Sequence, residues 1–413
     1  MFSILQNTLN QGWFRSLAML ACACGSAASQ DFALQVANPN PLRIGSFVPS
    51  GLELPADAGV EGGIKGAFDY GVGVQTTYDS NFFLTETDEE SEYSAVLSPW
   101  LSYISDPEGG APFSLAANYQ PSYRAFIENS ESNNFDQSGD VVMSFTGSRT
   151  EVSLFGRYAQ LSGTDRFTGD FTTGSVFSGG VRATRMVAAR TTLYGALSYS
   201  QSDYSSGDSQ GSQILTGNFG GLWSASERTS VGSSIRYSQT ESDNTGTRDA
   251  WSLLAELRYK VGERIWLSAS VGPEFSSDSG SGDESVGVHA EIDARYVINE
   301  RWSWSSSLGT ASVPSPSDFG YLVNNMNFTT ALEHQLLRAR VSGGLAFDYA
   351  EYESVGPVVR PRDDEQNISL FLAYSRNLFS ERVAFDSSVR YRMNDGDRDW
   401  SQWLVSMGLT VPF

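Results

Sequence analysis

Few residues in this chain have side chains suited to catalysis or metal binding. There are two histidines, His289 and His334, and two cysteines, Cys22 and Cys24, among 413 residues. A zinc site gathers three or four nitrogen or sulfur ligands, and this supply does not provide them. His289 shares the polar side of its segment with Glu291, a pairing that would suit acid–base work. Either histidine beside a serine could support nucleophilic catalysis, but serine is so common here that no single pairing stands out. No catalytic residue, metal ligand or cofactor site is therefore assigned.

The densest charge lies in Glu86-Thr-Asp-Glu-Glu-Ser-Glu92, five acids in seven residues. Carboxylate oxygens suit calcium or magnesium, yet the run lacks the glycine and the spaced ligands of an EF-hand loop. It reads as a solvated external loop. A larger set of charges is spread along the chain: Arg124, Arg157, Arg182, Arg236, Glu256, Arg258, Glu291, Asp293, Arg295, Arg340, Asp348, Asp386, Arg390 and Arg392. Each occupies the polar parity of its segment. Their chemistry depends on what those segments enclose.

The segments read as strands. In Ile265–Phe275, Ile265, Leu267, Ala269, Val271 and Phe275 alternate with Ser268, Ser270, Gly272 and Glu274. Val286, Val288, Ala290, Ile292, Ala294 and Tyr296 alternate with Gly287, His289, Glu291, Asp293 and Arg295, and Trp251 to Lys260 repeats the design. Period two belongs to a strand whose two sides meet unlike surroundings. The 40 glycines, 18 tyrosines and 24 phenylalanines, with 18% charged residues, favour strands and turns over helices. A net charge of −21 excludes nucleic acid as a natural partner, because phosphates call for a cationic face.

Short connections near Gly147–Arg149, Val187–Arg190, Gly262–Glu263 and Asn299–Glu300 alternate with longer polar ones such as Asp79–Glu92, Ser162–Gly174 and Val313–Asn325. That asymmetry, with tyrosine and tryptophan recurring near segment ends, marks a transmembrane barrel. The expected fold is all-β: one antiparallel, up-and-down transmembrane β-barrel of about 18 strands (16–18). On a lipid-facing side each of the fourteen charges would cost about 2–4 kcal/mol near the midplane, so they are expected to face inward. There they could line a pore, with arginines on one wall and acids on another, or fill the interior as a salt-bridge network.

The ends of the chain carry their own signals. Arg15, the apolar run from Leu17 to Cys24 and the small residues to Ala28 follow the order of a secretory signal peptide. Residues 1–28 are expected to be that peptide, 29–65 a periplasmic leader and 66–413 the barrel. At the other end Trp403, Val405, Met407, Leu409, Val411 and Phe413 form one apolar stripe ending on an aromatic residue. Ser406, Gly408, Val411 and Phe413 resemble the signal by which barrel-assembly machinery recognises outer-membrane proteins.

The stretch Val72 to Leu101 adds a second resemblance. Tyr78, Asp79, Asn81 and Phe83, followed by Ser98 and Pro99, are similar to the opening hairpin of the β-barrel porin 2 group of outer-membrane proteins. The resemblance implies an outer-membrane barrel, in some members associated with exopolysaccharide or capsule production, and transfers no substrate and no catalytic residue.

The expected function is a porin-like passive channel for small hydrophilic solutes or saccharides. A non-conducting accessory barrel of an exopolysaccharide or envelope assembly is the alternative, and an enzyme the reading least supported. Expected partners are outer-membrane lipid, lipopolysaccharide (whose bridging cations acidic loops could engage) and the assembly machinery. Oligomeric state is not legible.

Overall fold

The computed structural model describes residues 67–105, 112–164, 169–204, 211–242, 246–279, 284–314, 321–354, 363–379 and 383–413. The expected signal peptide and leader lie outside them. Eighteen strands follow one another: β1 (Ala67–Asp79), β2 (Glu92–Ile104), β3 (Phe113–Phe126), β4 (Asn134–Thr146), β5 (Thr150–Thr164), β6 (Phe171–Ala188), β7 (Thr191–Tyr204), β8 (Ser212–Ser224) and β9 (Thr229–Ser242). They continue as β10 (Gly246–Val261), β11 (Ile265–Asp278), β12 (Glu284–Val297), β13 (Trp302–Pro314), β14 (Tyr321–Gln335), β15 (Ala339–Ser354), β16 (Glu365–Leu378), β17 (Val383–Asp395) and β18 (Trp400–Pro412). Among the described residues the one helical turn is a 3-10 turn at Ser130–Ser132.

Each strand pairs antiparallel with its sequence neighbours, and β1 also pairs with β18, from Gly71 opposite Pro412 to Asp79 opposite Leu404. The sheet therefore closes, and no edge is left to recruit another chain. Tight connections follow even-numbered strands at residues 147–149, 189–190 and 262–264. Both ends of the described barrel lie on that side. The opposite end, called the mouth below, carries the connection spanning residues 80–91 and the others that follow odd-numbered strands.

Strands run further toward the mouth than the alternation suggests. β6 is 18 residues long and starts inside a segment that reads as a polar connection. β10 and β14 likewise begin within such segments. Near the mouth the outward parity turns polar, with Gln201, Asp203, Gln213, Gln239 and Glu241, so apolar alternation stops before hydrogen bonding does.

Lower down, the outward parity is apolar and uncovered on every arc of the wall: Leu97, Leu154, Leu197, Phe219, Ile235, Leu253, Val288, Leu372 and Met407 are all exposed. A soluble monomer rarely shows an apolar patch beyond a few hundred Å². A band encircling the molecule has hydrocarbon as its natural solvent, and the barrel is a transmembrane one. Aromatic pairs flank the band. Tyr237 meets Trp251 and Tyr391 meets Trp403 toward the mouth, with ring centroids 4.5 and 4.7 Å apart. Phe68 meets Tyr103 at 4.6 Å, and Trp302 stacks on His334 at 4.1 Å, toward the short turns. Such girdles mark the two membrane interfaces.

Candidate functional site

The wall alternates, so side chains opposite in parity to the exposed apolar ones point into the barrel. All fourteen charged residues singled out above stand on that inward parity. They fall into three arcs. On β3–β5, Arg124 has Asp136 and Asp79 as electrostatic neighbours, Arg157 has Asp140, and Asn118 donates to Asp140 at 3.0 Å. On β6–β12, Arg182 interacts with Glu291, Glu151 and Arg258, while Arg236 interacts with Glu291 and Glu274. Tyr194 of β7 hydrogen-bonds Glu256 of β10, reaching past β8 and β9. Arg295 and Lys260 lie over the Trp266 ring at 5.7 and 5.8 Å. On β15–β18, Arg340 faces Asp386, Arg390 lies over Phe371 at 6.0 Å, and Arg392 lies over Trp400 at 5.1 Å.

Acids and arginines are thus intermixed on every arc. The expected division into a basic and an acidic wall is not what the structure shows: Arg124, Arg157, Arg236 and Arg340 each have a carboxylate among their electrostatic neighbours, which offsets their desolvation. On this inward side Arg182 and Arg258 are nonetheless exposed residues.

Four aromatic side chains stand on this inner surface, each close against a directly paired glycine: Trp100 at Gly71, Phe155 at Gly180, Tyr194 at Gly220 and Phe371 at Gly344. A Cβ on any of these glycines would stand under 3.0 Å from the ring. The absence of a side chain gives each ring its bed, as when an aromatic residue covers a strand glycine.

His289 is buried among Glu274, whose carboxylate is 3.5 Å from Nδ1, and Arg236, whose Nη1 is 3.4 Å from Nε2. Ser252 donates to that same Glu274 carboxylate at 2.9 Å. In a nucleophilic triad the serine would instead donate to the imidazole. His334 faces outward, stacked on Trp302. Among the described residues no group of three or more His, Cys, Asp or Glu side chains is arranged to hold a metal ion.

The mouth holds what the sequence did not reveal. The 80–91 connection does not stand free: Asn81, Phe82 and Leu84 are buried, while Glu86 to Glu90 are exposed. Asn81 Nδ2 donates to the carbonyls of Thr85 and Ser401 at 2.8 and 3.0 Å, and its Oδ1 accepts from the Thr85 N–H at 2.9 Å. Phe82 packs against Phe126 and Phe171, with centroids 5.0 and 5.6 Å apart, and Thr164 donates to its carbonyl at 2.6 Å. Glu92 corrects the reading of its acidic run as solvated. It is buried and accepts from the backbone N–H groups of Ile127, Glu128 and Asn129 and from the Asn129 amide. Asp79 and Asn81 drew attention only as a resemblance; their role here is to anchor this connection. Phe82, Arg398 and Gln402 carried no local signal, since their partners lie far along the chain.

Three of the four residues of the expected assembly signal lie on the seam strand β18, and Phe413 directly follows it. Ser406 hydrogen-bonds Thr77 at 3.0 Å, Gly408 and Val411 pair with Gln75 and Val72, and the Phe413 N–H donates to the Tyr70 carbonyl at 2.9 Å.

No protein-family model and no curated protein matches the chain. Solved structures similar to it include the FrpB iron transporter (F3-3 variant) from Neisseria meningitidis, at 13% identity and TM-score 0.45, covering 79% of this chain. The chain spans 62% of that transporter's length. The outer membrane protein OpdK from Pseudomonas aeruginosa is similar at 10% identity and TM-score 0.45, over 84% of this chain and 99% of its own. OccAB3 of Acinetobacter baumannii matches at 9% identity and TM-score 0.43, again over 84% and 99%.

Proposed function

We propose that this chain is a passive outer-membrane channel for small hydrophilic solutes, saccharides among them, related to the β-barrel porin 2 group. One observation carries the reading: inside a closed wall with an apolar exterior, Arg182 and Arg258 stand on the inward parity and are exposed residues. Eighteen strands enclose enough space for water beside such side chains. The fourteen inward charges would line the path, and their intermixed signs would favour polar solutes over either class of ion. Secretion behind a cleaved signal peptide, insertion by the assembly machinery, and contact of the acidic mouth with lipopolysaccharide belong to the same proposal.

The bridging of β7 to β10 by Tyr194 and Glu256 favours a second reading, an accessory barrel whose interior network serves rigidity rather than passage. Reconstitution of the folded protein in planar bilayers separates the two. Discrete conductance steps, reduced by added oligosaccharide, support the channel; folded protein that inserts and gives no steps supports the accessory barrel.

A further inference from the structure

The connection between β1 and β2 is the longest described in full, and its buried part points away from the surrounding water. Its backbone closes on itself where the Phe82 N–H donates to the Glu90 carbonyl at 2.8 Å. Below that closure, residues 81–84 reach in two directions. Toward β3, β5 and β6, Phe82 enters the aromatic cluster with Phe126 and Phe171 and accepts from Thr164. Toward β17 and β18, Arg398 Nη2 donates to the carbonyls of Phe83 and Leu84 at 3.4 and 3.0 Å. The two directions meet: a Cβ on Gly169, in the β5–β6 connection, would fall on the Arg398 guanidinium of the β17–β18 connection. Gly169 has φ of +80°, so both its space and its backbone call for glycine.

β17 and β6 stand well apart along the rim, with β18 and β1 to β5 between them. Groups from both can touch through residues 81–84 only if that segment lies across the opening. The Asn81 amide and the Phe82, Phe83 and Leu84 carbonyls are hydrogen-bonded, and the Phe82 and Leu84 side chains are buried, which describes a fixed element rather than a swinging one. We infer that residues 81–84 form a cap over the β17-to-β6 side of the mouth and set the largest solute that enters. This rests on the channel reading for its consequence, while the cap itself rests on the contacts.

The test uses full-length protein with Cys22→Ser and Cys24→Ser. One variant combines Asn81→Ala with Arg398→Ala; a second replaces residues 83–89 by two glycines and spares Glu92. Folding of each is verified by heat-dependent migration on gels. Two readouts are taken: exclusion of graded neutral polyethylene glycols in planar bilayers, and labelling by a polyethylene-glycol maleimide of Ser98→Cys, an inward position on β2 below the cap.

With the cap removed, conductance and labelling rate each rise about twofold or more, and larger polymers enter. If the parent protein conducts and folded variants change neither the polymer cut-off nor the labelling, the cap is overturned and the channel stands. If nothing conducts yet labelling quickens in the variants, the cap stands and the channel reading falls. If nothing conducts and labelling is unchanged, both fall.

Discussion

Gln402 on the last strand donates from Nε2 to both carboxylate oxygens of Asp79 on the first, at 2.8 and 2.9 Å. Both residues are buried, and they join side chains across the seam that closes the barrel. The same nitrogen reaches the Asn81 carbonyl at 3.2 Å, so seam and mouth share one anchor. Hydrogen bonds to charged groups contribute about 1.5–3 kcal/mol each, and when the amide is lost Asp79 keeps the Asn81 N–H as a donor at 3.0 Å. Gln402→Met, which holds the volume and removes the amide, is expected to destabilise the barrel by about 2 kcal/mol. Urea unfolding in detergent, followed by tryptophan fluorescence, checks this; an unchanged midpoint would show the seam is held by its backbone ladder alone.

The glycine beds give a paired prediction. At Gly71 a Cβ would stand 2.8 Å from the Trp100 ring and 2.5 Å from the Val411 carbonyl, whereas at Gly156, on the lipid side, it would meet nothing within 4 Å. Gly71→Ala should therefore cost about 1–3 kcal/mol, the range for overpacking, and Gly156→Ala should leave stability nearly unchanged. Equal effects at the two sites, measured by the same unfolding assay, would contradict the proposed fit of ring to glycine.

The exposed tip of the mouth connection carries Glu86, Asp88, Glu89 and Glu90. Carboxylates there raise the local concentration of cations and lower that of anions. Neutralising all four, as Glu86→Gln, Asp88→Asn, Glu89→Gln and Glu90→Gln together, should shift the reversal potential in a potassium chloride gradient toward anion preference. The shift should shrink at 1 M salt, where the screening length is about 3 Å. A reversal potential indifferent to the substitutions would place the tip outside the conduction path.

How much of this was legible beforehand follows from where the information sits. Strand parity is a local property, so Val286 to Tyr296 could be assigned faces from the sequence alone, and closure of the wall followed from the count of hairpins. Strand ends were read too short, as at Phe171 of β6, because outside the bilayer both faces meet water and alternation loses its cause. The cap was not legible at all. Phe82 is separated from Phe171, and Asn81 from Ser401, by most of the chain or by several hairpins, and nothing in the acidic run announced that Glu92 would turn inward. The pairing of Arg157 with Asp140 was likewise hidden, since it depends on cross-strand register rather than on spacing along one strand.

The central claim is that the outward parity meets hydrocarbon and the inward parity does not. Single-tryptophan variants reconstituted in vesicles containing brominated lipid test it most directly. Trp251, exposed on the outer wall, should be strongly quenched, and Trp100, buried on the inner wall over Gly71, far less. Equal quenching of the two, or stronger quenching of Trp100, would contradict the account.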